Sequence, residues 1–137
     1  MQNENLMQQE NYLGIDWGVS KIGLALAHAE TRVAVAYDVL ENSETFIDNL
    51  RDVIKREGIG TIVVGQPQYQ DNHGGALIQK FGKKLSQCTE LPVFFTSEMF
   101  TTKLAQRTLA LRGEKYPSTA DDAEAARILL QDWLDRK

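Results

Sequence analysis

A mixed α/β fold, with one sheet that is antiparallel in its first half and parallel in its second, is what this sequence of 137 residues predicts. Three observations lead there. Three strand-like runs precede any helical pattern, between Tyr12 and Leu40. Amphipathic helical patterns then alternate with short apolar runs. Those later runs have the continuous apolar character of strands buried on both faces of a parallel sheet. The order βββαβαβαα therefore reads as five strands, an antiparallel meander followed by right-handed crossovers to parallel strands, flanked by helices.

The first strand is expected at Tyr12 to Trp17, with Leu13, Ile15 and Trp17 on one side and Gly14 and Asp16 on the other. Gly18 permits a tight turn into a second strand, in which Ile22, Leu24 and Leu26 alternate with Gly23, Ala25 and Ala27. Val33 to Leu40 is the third run. Asn42 or Ser43 is positioned to cap a helix whose Phe46, Ile47, Leu50, Val53 and Ile54 recur at helical spacing, and Gly58 ends it. Thr61 to Gly65 reads as a central strand. Leu77, Ile78, Phe81 and Leu85 form the stripe of a helix from Gly75 to Cys88, and the next buried strand spans Pro92 to Phe95. Two helices follow, from about Thr102 to Arg112 and from Ser118 onward. Along the second, Asp122, Ala125, Ala126, Leu129, Leu130 and Trp133 share one face, where small Ala125 and Ala126 allow close approach to the sheet.

Composition narrows the function classes. Residues 1–11 are polar and read as a flexible N-terminal tail, lacking the charged start and apolar centre of a secretory signal. Residues 12–137 read as a single domain, with no internal repeat and no linker rich in Pro or Ser. No window has the ~20 apolar residues of a membrane span. The lone Cys88 excludes a disulfide within the chain, which fits a cytoplasmic setting. Fifteen Lys and Arg stand against nineteen Asp and Glu, a net charge of −4, so any nucleic-acid contact must use a local patch.

Three carboxylates stand out on this scaffold. Asp16 interrupts an apolar strand, where Asp is disfavoured. Glu98 lies just past the strand Val93 to Phe95, beyond the carboxyl ends where open α/β sheets place ligands. Asp122 begins an otherwise apolar helix stripe, although a charge in a first helical turn is also favoured by the helix dipole. Its neighbour Asp121 is accounted for by a capping box with Ser118. Carboxylates converging in a partly dry cleft raise one another's pKa, and a hard divalent cation, Mg²⁺ or Mn²⁺, removes that conflict. Metal-assisted phosphodiester hydrolysis uses such a set and needs no His or Cys nucleophile.

Five blocks in order carry a resemblance. They are Ile15-Asp16-Trp17-Gly18, Lys21-Ile22-Gly23, Val63-Val64-Gly65-Gln66-Pro67, Ser97-Glu98-Met99-Phe100-Thr101-Thr102 and Asp122-Ala123-Glu124-Ala125-Ala126. From Tyr12 onward the chain resembles the YqgF family, also called RuvX. Its members are bacterial RNase H-like proteins, described as Holliday junction resolvase-like and as nucleases that mature pre-16S ribosomal RNA. The resemblance implies an RNase H-like fold and a catalytic, metal-binding role for Asp16, Glu98 and Asp122. It also implies that Lys21, Thr101 and Thr102 lie near the phosphate backbone. The family usually reads Asp-Pro-Gly where Trp17 follows Asp16, and Asp-Glu-Arg where Ser97 and Met99 flank Glu98. All three acids remain.

The implied activity is a metal-dependent endonuclease processing pre-16S rRNA, with precursor ribosomal particles as partners. The alternatives are a resolvase acting on branched DNA and an RNA- or ribosome-binding module without useful hydrolysis. Lys103, Arg107 and Arg112 recur along one helix, either as a phosphate track or as a solvated face. His28 and His73 lack metal-ligand spacing, Cys88 reads as a small buried hydrophobe, and Trp133 as core. Trp17 either packs in the core or borders the cleft. Asp16, Gly18 and Gly23 also resemble the phosphate hairpin of actin-like ATPases, but those enzymes close ATP between two such domains and this length supplies one.

Overall fold

A computed structural model describes residues 10–66, 72–97 and 119–136. Five strands, β1 (Asn11–Asp16), β2 (Lys21–Ala27), β3 (Ala34–Glu41), β4 (Ile59–Gln66) and β5 (Val93–Ser97), form one sheet in the order β3-β2-β1-β4-β5. β1 pairs antiparallel with β2, and β2 with β3. β1 runs parallel to β4, and β4 to β5. The expected meander and parallel half are both present, with the first strand at the centre. Three helices accompany them among the described residues: α1 (Phe46–Glu57), α2 (Asn72–Thr89) and α3 (Thr119–Asp135). The helix expected near 102–112 lies outside the described residues.

Side-chain alternation divides the core into two layers. Leu13 and Ile15 of β1, Ile22, Leu24 and Leu26 of β2, and Ile62 and Val64 of β4 pack against Phe46, Leu50 and Val53 of α1 and Leu85 of α2. On the other face, Ala25, Ala27, Ala34 and Val63 meet Ala126, Leu129, Leu130 and Leu134 of α3. That second layer is built from small sheet residues, so α3 lies close to the strands. A methyl group on Gly14 would stand 2.7 Å from Leu130 Cβ and 3.0 Å from the Ala126 carbonyl oxygen. Burial along α3 follows the expected stripe at Ala126, Leu129 and Leu130 and adds Ala123 and Leu134, while Ala125 and Trp133 are only partly buried.

Several boundaries differ from the sequence expectation for identifiable reasons. β1 begins at Asn11, one residue into the expected tail, because Asn11 joins three segments. Its amide donates to Gly58 O (2.9 Å), its Nδ2 donates to Glu57 O (2.7 Å), and its Oδ1 accepts from the Ala29 amide (2.9 Å). α1 is not capped by the side chain of Asn42 or Ser43. Asn42 Nδ2 donates to Gly18 O (2.8 Å), and the Ser43 hydroxyl pairs with Thr45 Oγ1 (3.1 Å). The Ser43 carbonyl instead accepts the Phe46 amide (3.1 Å), and Thr45 is the N-cap. Gly58 does end the helix, in the left-handed conformation (φ 63°). Leu77, expected on the α2 stripe, is exposed, whereas Ile78, Phe81 and Leu85 face inward. No helix among the described residues is long and apolar enough to cross a membrane.

Candidate active site

The carboxyl ends of β1, β4 and β5 lie on one edge of the sheet, since the three strands are parallel. Asp16 is the last residue of β1. Alternation places it with Tyr12 and Gly14 on the α3 face, opposite Leu13 and Ile15. Its register partner across the antiparallel pair is Gly23. A methyl group on Gly23 would stand 1.9 Å from the Asp122 carbonyl oxygen, 2.2 Å from its carbon and 2.9 Å from the Ala123 nitrogen. The first turns of α3 thus rest on bare backbone at Gly23, beside Asp16. Paired residues of antiparallel strands have Cα atoms ~4.5–5.5 Å apart, so Asp16 and the Asp122 backbone are within roughly 10 Å of each other. Both residues are half-buried, and both take part in interactions of their own.

The other end of α3 is fastened to the β2–β3 turn. The Ala34 amide donates to Gln131 Oε1 (2.8 Å), and Gln131 Nε2 donates to Arg32 O (3.2 Å). Arg32, in the left-handed region (φ 55°), donates to Leu134 O (3.1 Å) near the helix end and to Tyr12 Oη (3.1 Å). A seat on Gly23 at one end and these bonds at the other fix the register of α3 along the sheet, and with it the place of Asp122.

Glu124 was not singled out by sequence, and its environment explains why it differs from Asp122. Arg127 grips it with two hydrogen bonds, Nε to Oε1 (2.9 Å) and NH2 to Oε2 (2.6 Å). That contact raises the Arg127 pKa, chiefly through the hydrogen bond and against the opposing effect of burial. The i,i+3 spacing was the available signal.

Trp17 falls on the side away from Asp16. It packs on the α1–α2 layer, its ring 5.8 Å from that of Phe81. Lys21, exposed at the start of β2, shares the Gly23 face by alternation. Glu98 follows directly on Ser97, the last residue of β5, and lies outside the described residues, as do Thr101, Thr102, Lys103, Arg107 and Arg112. His28 is exposed, and Cys88 is half-buried rather than buried, its carbonyl accepting two bonds from Arg51 (3.3 and 3.1 Å). Trp133 is partly buried, wedged between Tyr12 (5.9 Å) and Phe94 (5.5 Å). Among the described residues no three His, Cys, Asp or Glu side chains cluster as a metal site.

Comparison with known proteins gives this arrangement a context. Over residues 10–136 the chain matches the family model described as "RuvX: Holliday junction resolvase". A protein of Anaplasma marginale named "putative pre-16S rRNA nuclease" is 35% identical over 131 residues, covering 90% of this chain and 83% of that protein. One of the same name from Dictyoglomus turgidum is 33% identical, covering 90% and 92%. Among solved structures, Thermus thermophilus RuvC in complex with a Holliday junction superposes with a TM-score of 0.57 over 93% of this chain and 94% of that one, at 17% identity. The sheet order, the RuvC-like RNase H fold and the match along nearly the whole sequence agree: the chain belongs to the RuvX family, also called YqgF.

Proposed function

We propose that this protein is a metal-dependent endonuclease that processes pre-16S ribosomal RNA in the cytoplasm, acting on precursor ribosomal particles. The observation that supports the reading is that the Asp122 backbone packs on Gly23, the register partner of Asp16, on the α3 face at the carboxyl edge of β1. Relatives one-third identical bear the name of a nuclease for that RNA. Asp16, Asp122 and Glu98 supply only oxygen donors, the set suited to Mg²⁺ or Mn²⁺. Asp16, Asp122 and Glu98 would hold such an ion, which would lower the pKa of a bound water and stabilise negative charge on the leaving oxygen. The chain's own contribution is rigidity: strand β1 fixes one acid and the glycine-seated helix fixes another. Lys21 offers a positive charge on the same face.

The test is cleavage of a precursor 16S rRNA and of a four-way DNA junction, each with Mg²⁺, with Mn²⁺ and with chelator. Metal-dependent cleavage of the RNA, lost in Asp16→Asn, Glu98→Gln and Asp122→Asn, is the expected result. Cleavage equal to wild type in Asp122→Asn, or none in the wild type, would defeat the proposal. Preferential cutting of the junction would favour the resolvase reading that the family's description carries.

A further inference from the structure

The sheet carries a second polar feature on the Asp16 face. Thr96 of β5 is buried, and its hydroxyl accepts a hydrogen bond from Arg136 NH2 (3.2 Å), just beyond the end of α3. Thr96 pairs with Gly65 of β4, and Gly65 is one residue past the Ile15–Val64 pair, level with Asp16. Phe94, two residues earlier on β5, meets Trp133 of α3, which puts Thr96 on the α3 face as well. Asp16 and Thr96 therefore stand on the same face and at the same level, separated by one strand that offers only a glycine. At about 4.8 Å per strand, their backbones are roughly 10 Å apart.

We infer that Arg136, seated on Thr96, is a phosphate-binding residue for the nucleic-acid strand that lies across Asp16 and Asp122; this rests on the nuclease reading above. The guanidinium is a planar fork of five donors matched to phosphate oxygens. More than half of the Arg136 side chain is exposed, so it retains donors on the solvent side while Thr96 orients it. Its other described partner is Asp132, an exposed i,i+4 ion pair. Such pairs are weak, and a phosphate oxygen can replace the carboxylate. In a chain of net charge −4, a cation held on the face of the acid pair gives a polyanion a local point of attachment. Arg136 is thus a positioning residue: it sets where the strand lies and leaves the bond-breaking step to the carboxylates.

The test is binding of a fluorescent precursor 16S rRNA fragment, in chelator so that nothing is cut, from 50 to 200 mM KCl. Loss of one phosphate contact lowers the slope of log affinity against log salt by about 0.7–0.9. Arg136→Ala is therefore expected to bind about tenfold more weakly at 50 mM, shrinking to about threefold at 200 mM, since a fourfold rise in salt at that slope difference is about a factor of three. Arg136→Lys should keep the wild-type slope. Asp132→Asn, which removes the competing carboxylate, should tighten binding, while Asp48→Asn on α1 should not. An Arg136→Ala protein with wild-type affinity and slope overturns the inference. So does equal weakening by Arg136→Ala and Arg136→Lys, which marks a packing role. A wild type that binds no RNA removes the nuclease reading itself, and is distinguished by failing before any variant is compared.

Discussion

Replacing Gly23 by Ala tests whether the seat of α3 on the sheet builds the acid pair. The added methyl would lie 1.9 Å from the Asp122 carbonyl oxygen and 2.2 Å from its carbon, both backbone atoms that no rotamer change can move. Ordinary contact distances are about 3.5 Å, so the helix start must retreat by roughly 1.5 Å. Overpacking of this kind costs about 1–3 kcal/mol. At about 3–5 °C per kcal/mol for a chain of this length, the melting temperature should fall by about 3–15 °C. The same retreat displaces Asp122 from Asp16, and a misplacement near 1 Å at a reacting centre costs about 100-fold in rate. The assay is single-turnover cleavage of precursor 16S rRNA beside a thermal melt. Gly14→Ala is the control. Its methyl meets Leu130 Cβ at 2.7 Å and the Ala126 carbonyl oxygen at 3.0 Å, further along the helix from Asp122, so it should lose stability with less than about a tenfold loss of cleavage. Wild-type melting and cleavage in Gly23→Ala would refute the reasoning, as would cleavage losses that track stability alone in both variants.

Other outcomes follow from the same geometry. Asp16→Asn should abolish cleavage yet melt at or above the wild-type temperature in chelator, because on the proposed site it removes one of the like charges that converge there; a collapsed melt would make Asp16 a structural group. Trp17→Phe should keep metal-dependent cleavage within about threefold, since Trp17 packs on Phe81 in the layer away from Asp16 and Phe retains much of that contact; loss of cleavage without loss of stability would place the ring at the substrate. Arg127→Ala should cost about 1–3 kcal/mol in chemical denaturation by leaving the largely buried Glu124 without its guanidinium. An unchanged midpoint would show that the pair is not structural. Asn11→Ala should cost a similar amount, as two side-chain hydrogen bonds joining β1, α1 and the β2–β3 turn are lost; it too is read from the denaturation midpoint.

How far the residues reveal this molecule before any coordinates depends on the range of the interaction. Strand and helix identities, set by periodicity within a dozen residues, were readable, as was the change from antiparallel to parallel pairing that the element order implies. Asp16 stood out by its cost in an apolar strand, and its expected place near the end of that strand is where β1 ends. The capping of α1 was not readable, because Asn42 is drawn away to Gly18, 24 residues distant in sequence, by a bond that no local pattern encodes. Trp17 stayed ambiguous for the same reason: its side is fixed by Phe81 on a helix still far ahead in the chain. Gly23 looked like the small partner of an alternating strand, and only the docking of α3 shows that its missing side chain is where a helix lands. Arg136 had no sequence signal, since Thr96 is 40 residues away.

The seating of α3 also bears on when the protein becomes complete. Asp16 lies in β1, whereas among the described residues the helix that covers its face at Gly14 and Gly23 begins only at Thr119, more than 100 residues later in the chain. A nascent chain can pair its meander and bury part of the α1 layer while Asp122 is still untranslated. On the proposed function, cleavage therefore waits for the docking of α3, which brings Asp122 to the sheet.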